Sequence, residues 1–441
     1  MSFNLFAELR NRKNVLRMAG NSAWLFGDKI VRAGLGVIVG AVVARHLGPD
    51  SFGALSLVFT YILLFASFAA FGLDGVVVRD LIRDWSSKKD ILGTAFIVKC
   101  CCGVLVFLLG NSLVSSIRFA DDRFWVMVAV GSCSLFFQPA DVIDFEFQSQ
   151  LNARPVVTAR SSAFVFISGV KLLLVLLGAP LMYFAATPGI EAAMAAALLI
   201  LMYQRNGGDL YEWHFESKRA IELVKTTLPI AISGIFVVAI MQIDKLMLGN
   251  ISGSQAVGIY SAASLLSTAW YMVPVIVGAS VSPRLTRLYA ISPVDYASRL
   301  QDVFSAVTFV ALSVGACTVL LSEPLISLIF GEAYSAAAFV LTIHVWAGLF
   351  IAHVTIRSRA LLIEGKMKFV LLFSGLTLLS NIFLNYILIN RYAEAGAAWA
   401  FLISWGLCAL LFPLGSNQSR GFAIMLLKSF LYSNWMRAVI R

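Results

Sequence analysis

The stretch NSAWLFGDKIVRAGLGVIVGAVVARHLGPDSFG, Asn21 to Gly53, decides how this chain is read. Most of it is apolar and long enough to cross a bilayer, which takes about 20 residues at 1.5 Å per residue. Yet Asp28, Lys29 and Arg32 lie inside it, where a charge facing lipid is costly. It ends in a Gly-Pro turn at Gly48 and Pro49, and a second apolar run follows at once. A hairpin charged within its first span belongs to the lining of a polar cavity in a membrane protein.

The rest of the chain has the same character. Of 441 residues, 59% are hydrophobic and 13% charged, against about 25% charged in a soluble domain. So much apolar surface cannot be hidden from water, and the fold class is an all-α polytopic membrane protein. A transmembrane barrel is disfavoured, because its strands alternate at period two over about 10 residues whereas these runs are continuous. Twelve spans are expected, centred near Ala33, Leu63, Leu105, Cys133, Ile167, Ala193, Val238, Thr268, Leu312, Val345, Leu379 and Ser404. Pro139, Asp141 and Asp144 interrupt the fourth, and Pro188 and Glu191 the sixth. The expected organisation is a six-helix bundle over 1–204, a cytoplasmic loop over 205–227, a second six-helix bundle over 228–415 and a basic cytoplasmic tail over 416–441.

With the N-terminus in the cytoplasm, 25 of the 34 Lys and Arg residues, Arg160 and Arg357 among them, fall on cytoplasmic segments. Five (Arg45, Arg118, Arg123, Lys245 and Arg391) fall on the outer side and four within spans. This bias is the one that sets membrane topology, and it places both termini in the cytoplasm. It also accounts for the net charge of +10 without a nucleic-acid partner. The basic stretch around Arg10, Arg12, Lys13 and Arg17 precedes an uncleaved first span. The segment Phe422–Arg441 reads either as a helix in the cytoplasmic interface or as a frayed tail. All six cysteines lie in apolar runs with no Cys-x-x-Cys, so they read as small buried hydrophobes. No nucleotide-binding, zinc-protease or serine-hydrolase motif occurs; no cofactor, metal or catalytic residue is expected, and energy must come from an ion or substrate gradient.

The two halves look duplicated. LGPDSFGALS (Leu47–Ser56) resembles LGNISGSQAVGIYS (Leu248–Ser261) with four residues inserted, which matches Gly53 to Gly258 at an offset of 205. At that offset Glu191–Ala195 falls on Gly396–Ala400 and Arg154 on Arg359. Six spans per half is an even number, so the copies are parallel, and transporters built this way bind substrate between the halves.

Polar residues within spans are the site candidates. Asp28 and Arg32 share a helix face with Asn21 and Gly36; they either neutralise each other locally or line a cavity, leaving Lys29 or Arg32 unmatched. Lys29, Arg32 and Lys171 are cationic cavity candidates. Lys99 is a further one, although near the cytoplasmic end it could instead snorkel. Asp28, Asp141 and Asp144 are candidates for ion coupling; the latter two, with Gln148, otherwise supply counter-charges for a basic residue or form a wet helix end. Asp244 and Lys245 read as interfacial. His344 and His353, nine residues apart, read as hydrogen-bonded packing residues rather than one metal site. Asn381 and Asn385 read as interhelical hydrogen-bond partners, and Pro139 and Pro274 as bends.

Three segments carry a resemblance: VVARHLGPDSFGALSLVFTY (Val42–Tyr61), DKLMLGNISGSQAVGIYSAASLL (Asp244–Leu266) and ALLIEGKMKFVLLFSGLTLLSNIFLNYILINRYAEAGAAWA (Ala360–Ala400). They resemble bacterial O-antigen and exopolysaccharide repeat-unit flippases of the multidrug/oligosaccharidyl-lipid/polysaccharide flippase superfamily. The resemblance implies two six-helix bundles arranged as a V, MATE-like, in the bacterial inner membrane. It implies an undecaprenyl-diphosphate-linked glycan as substrate, flipped from the cytoplasmic to the outer leaflet, with a polysaccharide polymerase and glycosyltransferases as partners. A diphosphate calls for cationic donors, which Lys29, Arg32 and Lys171 supply. A cation-coupled multidrug exporter of the same superfamily is the alternative, and would want a net acidic cavity. A membrane O-antigen polymerase or ligase is a remote one, because the outer loops are short.

Overall fold

The computed structural model describes residues 2–115 and 122–431, with side chains for residues 24, 27–115 and 123–431. Arg118, the basic N-terminal side chains and the tail beyond residue 431 lie outside the described residues. Hydrocarbon offers no partner to an open N–H or C=O, so each apolar run closes its hydrogen bonds within a helix. Among the described residues every regular element is helical.

The chain divides into two compact units, residues 1–39 with 61–234 and residues 40–60 with 235–441. The first holds both ends of α1 (Ser2–Ala70), then α2 (Leu73–Arg83), α3 (Lys88–Ser115), α4 (Asp122–Ser132), α5 (Asp141–Ser149), α6 (Arg154–Leu176) and α7 (Leu181–Arg205). Helix α8 (Ser217–Ser252) starts in the first unit and ends in the second. The second continues with α9 (Ser254–Ala269), α10 (Met272–Ile291), α11 (Pro293–Ile329), α12 (Ala337–His344) and α13 (Ala347–Ile363). It closes with α14 (Met367–Gly406), the single turn α15 (Phe412–Leu414) and α16 (Arg420–Ser429).

Among the described residues ten helical segments are long and apolar enough to cross a membrane. Two of them, Gly27–Arg83 with 57 residues and Met367–Leu414 with 48, run to about 85 and about 70 Å, more than twice a hydrocarbon core of about 30 Å. Each contains a residue far from helical geometry, Gly48 (φ 74°, ψ 168°) and Ala393 (φ 46°, ψ −124°). Each therefore holds two crossings, and ten segments make the expected twelve. The fourth span breaks where Pro139 lies, into α4, a 3₁₀ stretch Cys133–Ala140 and α5. The eighth breaks at Trp270 and Tyr271, just ahead of Pro274. That puts Pro274 in the first turn of α10, where its missing N–H leaves no bond unmade.

Burial is inverted relative to a soluble protein. On α3 the stripe Leu105, Leu108, Leu109 and Leu113 is more than half exposed, while Lys99 and Asn111 are buried. Lipid is as apolar as leucine, so helices associate through close packing of small residues. The core of the second unit shows this: Ala44, Ala262, Ala263, Ala337, Ala397 and Ala398 are fully enclosed beside Tyr260, Phe330 and Tyr334. Helix α16 adds Phe422 and Leu426 to a further core cluster, so this part of the expected interfacial tail packs into the unit.

The duplicated glycines meet inside the second unit. Gly48 and Gly253, 205 residues apart, share one backbone conformation (φ 74°, ψ 168° and φ 86°, ψ 176°) and each starts a new helical stretch. The two motifs thus align without a gap, as Gly48–Gly53 and Gly253–Gly258, which corrects the expected four-residue insertion. A side chain at Gly53 would collide with the Ser254 carbonyl, and one at Gly258 with the Pro49 carbonyl. The contact is reciprocal between equivalent positions, and Ser254 Oγ adds a hydrogen bond to the Asp50 carboxylate. Nearby, Arg45 donates to the Leu328 carbonyl at 2.6 Å, at the C-terminal end of α11, where unpaired carbonyls favour a cation.

Candidate functional site

In the first unit α1 lies on α6 and α7 through the face carrying Asp28, Arg32 and Gly36. The Asp28 carboxylate accepts a hydrogen bond from Ser161 Oγ. Arg32 Nη2 reaches Glu191 Oε1 at 3.4 Å, and its guanidinium lies 4.7 Å from the centre of the Phe164 ring, a cation–π distance. Gly36 faces Phe164, which a methyl there would meet in ordinary contact. The local Asp28–Arg32 pair is not formed; each residue turns to a neighbouring helix. Pro188, about one turn before Glu191, removes an N–H from mid-helix. The Phe184 carbonyl one turn back accepts instead from Thr187 Oγ1 at 2.8 Å.

A second group of charges completes the site. Asp141 receives Lys99 Nζ at 3.2 Å and Arg160 Nη2 at 2.9 Å. Arg160 also reaches Asp144 at 2.9 Å, and Gln148 donates to Asp144 at 3.0 Å. Lys99 is only 3% exposed; held by Asp141 and lying over the Phe145 ring, it does not snorkel. Arg32, Gln138, Asp141, Arg160 and Glu191 line one cavity of about 230 Å³, closed on its apolar side by Phe137, Pro188 and Leu199. Lys171 is half-buried on α6. Lys29 is exposed and enters none of the ion pairs of the described residues. Of these two residues Lys29 is therefore the one unmatched among the described residues, while Arg32 is matched by Glu191.

Two planar guanidinium groups on one small cavity, each held by a carboxylate, form a site that a more highly charged oxyanion can enter by displacing the carboxylates. Arg160 and Glu191 escaped the sequence reading, the first counted with a loop and the second taken as a break. One signal was available: Arg160 and Lys171 are eleven residues apart, three helical turns, and so share a face of α6.

The second unit buries its own polar cluster. Asp244 is not interfacial but 1% exposed. It accepts Asn385 Nδ2 at 2.6 Å and the Tyr260 hydroxyl at 3.1 Å. Asn385 also donates to Asn381 at 3.0 Å, and Asn381 to Ser404 at 3.0 Å, as read from sequence. His344 meets Ser267 Oγ at 2.7 Å and stacks on Phe401, and His353 meets Thr308 Oγ1 at 2.9 Å. The Asp244 carboxylate is thus satisfied by donors from two other helices, the Tyr260 hydroxyl and the Asn385 amide. Replacing Asn385 by Leu removes a hydrogen bond to a charged group, worth about 1.5–3 kcal/mol. Purified Asn385→Leu protein is expected to unfold at clearly lower temperature, and an unchanged midpoint would contradict this. Arg357, counted among loop charges, is buried on α13. It donates to the Cys408 carbonyl at 2.6 Å where a π-helical turn, Leu407–Leu411, interrupts the helix, and it lies over the Phe373 ring.

Residues 18–289 match the family model described as polysaccharide biosynthesis protein, and residues 229–387 match MatE. A Shigella flexneri protein assigned as an O-antigen transporter is 23% identical over 405 residues, covering 89% of this chain and 94% of that protein. Among solved structures, the lipid II flippase MurJ in an inward closed conformation aligns with TM-score 0.71 at 14% identity, over 95% of both chains. An inward-facing MATE multidrug transporter of the MOP superfamily aligns with TM-score 0.67 at 15% identity, over 93% of this chain and 95% of the other.

Proposed function

Because the chain belongs to the polysaccharide biosynthesis protein family, within the multidrug/oligosaccharidyl-lipid/polysaccharide flippase superfamily of membrane transporters, we propose that it flips a lipid-linked oligosaccharide. The substrate is an undecaprenyl-diphosphate-linked repeat unit for O-antigen, capsule or exopolysaccharide, moved from the cytoplasmic to the outer leaflet of the bacterial inner membrane. Both termini are cytoplasmic, and a polymerase and glycosyltransferases work on the same glycan.

The observation that carries this reading is the cavity shared by Arg32 and Arg160. The diphosphate enters it and takes the two guanidinium groups from Glu191 and from Asp141 and Asp144, while Lys99, Lys171 and Lys29 add positive charge nearby. The glycan follows the diphosphate, and the polyprenyl chain stays in the bilayer. The displaced carboxylates then carry uncompensated negative charge, which a proton or a sodium ion neutralises. Asp141 and Asp144 are the coupling groups in this scheme. Asp28, held by Ser161, stays on the docking face of α1 and is a third.

Deleting the gene from a host without a redundant flippase is expected to leave lipid-linked glycan accumulating on the cytoplasmic leaflet, measured by protection of the glycan from an externally added glycosidase. Normal surface glycan in that strain would refute the proposal. The MatE match and the carboxylates on the cavity wall favour one second reading, a cation-coupled multidrug exporter. It expects drug sensitivity in the deletion strain with surface glycan unchanged.

A further inference from the structure

The first unit carries a second cavity, of about 200 Å³, where the chain between α7 and α8 folds back on the start of α3. The fold-back is fastened along its length. Gly207 takes a left-handed turn (φ 83°), and the Gly208 N–H donates to the Tyr203 carbonyl at 3.0 Å. Gly208 lies so close against the Tyr203 ring that no side chain fits there. The His214 N–H donates to the Lys89 carbonyl at 3.3 Å, and the Glu216 N–H to Thr94 Oγ1 at 3.0 Å. Trp213 donates its ring N–H to the Tyr203 hydroxyl at 3.1 Å and stands edge-on to Phe96. On the opposite side Asp84 accepts from Ser86 Oγ at 2.5 Å, which holds its carboxyl below the usual carboxylate range and fixes the turn presenting Trp85.

The lining has a different chemistry from the Arg32 cavity. Lys88 is held by Glu146 at 2.6 Å and Lys89 by Glu212 at 3.0 Å, so no guanidinium and no unmatched ammonium awaits an anion. Three aromatic side chains, Trp85, Tyr203 and Trp213, border it, with the Lys88 ammonium lying over the Trp85 and Tyr203 rings, so that most of the surface offered is polar. Asp209, Glu212 and the two lysines supply hydrogen-bond acceptors and donors around them. A mainly polar lining whose charges are already paired with one another, and which offers both acceptors and donors, suits a neutral ligand rich in hydroxyls.

We propose that this cavity is a subsite for one neutral monosaccharide of the glycan, engaged at the loop side of the first unit before the head group crosses. The proposal rests on the flippase reading above. It makes the loop a selector of sugar while the Arg32 cavity recognises the diphosphate common to all such lipids.

The test uses the full-length protein purified in detergent and the neutral monosaccharides released by acid hydrolysis of the host's own surface polysaccharide. Saturation-transfer NMR is expected to show binding of at least one of them. Binding should weaken at least tenfold in Asp209→Ala/Glu212→Ala and in Trp85→Ala, all exposed positions whose replacement should leave the fold intact. It should persist in Arg32→Ala and in the presence of inorganic diphosphate. No transfer to any sugar, unchanged binding in all these variants, or displacement of the sugar by diphosphate would each overturn the proposal. Failure of the wider reading is separate: a deletion strain with normal surface glycan removes the flippase itself. A strain that accumulates lipid-linked glycan, with protein that binds no sugar, removes only the subsite.

Discussion

Gly258→Ala protein is expected to unfold well below the wild-type temperature, and Gly53→Ala with it. At both positions the atom that blocks a methyl is a backbone carbonyl, of Pro49 and of Ser254. Forcing extra volume into a packed core costs about 1–3 kcal/mol when side chains can shift. Here only whole helices can move, so a cost of about 3 kcal/mol or more is expected. Gly48→Ala and Gly253→Ala meet no neighbour, but their backbone region is almost closed to residues with a Cβ, at about 1–3 kcal/mol. Gly40→Ala meets only the end of the Leu265 side chain at 2.9 Å, and Gly36→Ala has ordinary contact with Phe164 at 3.8 Å; both should be mild. The thermal midpoints of purified variants give the order directly. A Gly258→Ala protein as stable as wild type would mean that the two glycine motifs are not in contact.

The same motifs show what the chain made legible. Composition alone named a helical membrane protein, because no other solvent tolerates so much apolar surface. The Gly-x-x-x-x-Gly repeat at an offset of 205 was visible, but its register was not, since Leu-Gly at residues 248–249 imitates Leu-Gly at residues 47–48. Backbone dihedrals, not letters, choose Gly253. Asp244 and Arg357 were misplaced for one shared reason. When charge is used to mark the end of a span, any charge inside a helix looks like a boundary. Helix α8 runs on to Ser252 and α13 to Ile363, so both residues are interior. The candidate site was half legible. Arg32, Lys99, Lys171 and Asp141 stand out as charges in apolar runs, but their partners lie on other helices. The Arg32–Glu191 pair spans 159 residues, and no local periodicity reports it.

Arg32→Ala is expected to abolish glycan export while leaving the amount of folded protein unchanged. Truncating one member of a buried pair is usually destabilising because the other charge is stranded. Here both Glu191 and Arg32 are partly exposed, so water can solvate the carboxylate left behind. What disappears is a charge-assisted contact to the diphosphate, worth about 1.5–3 kcal/mol, or about 10- to 150-fold in binding. Calorimetric titration of the purified protein with inorganic diphosphate should show that loss. Lys171→Ala should lose export as well. Arg32→Lys, which keeps the charge but not the planar fork, should retain part of both binding and export. Glu191→Gln carries the opposite sign: it removes the carboxylate that competes for Arg32, so diphosphate should bind more tightly than to wild type. Export by Glu191→Gln should nevertheless slow, because release on the far side needs the carboxylate to take Arg32 back. The pair of variants separates a transport site from a structural ion pair. A structural pair loses stability from either side, whereas a competed site moves diphosphate affinity in opposite directions. Wild-type export by both Arg32→Ala and Lys171→Ala would remove this cavity from the mechanism.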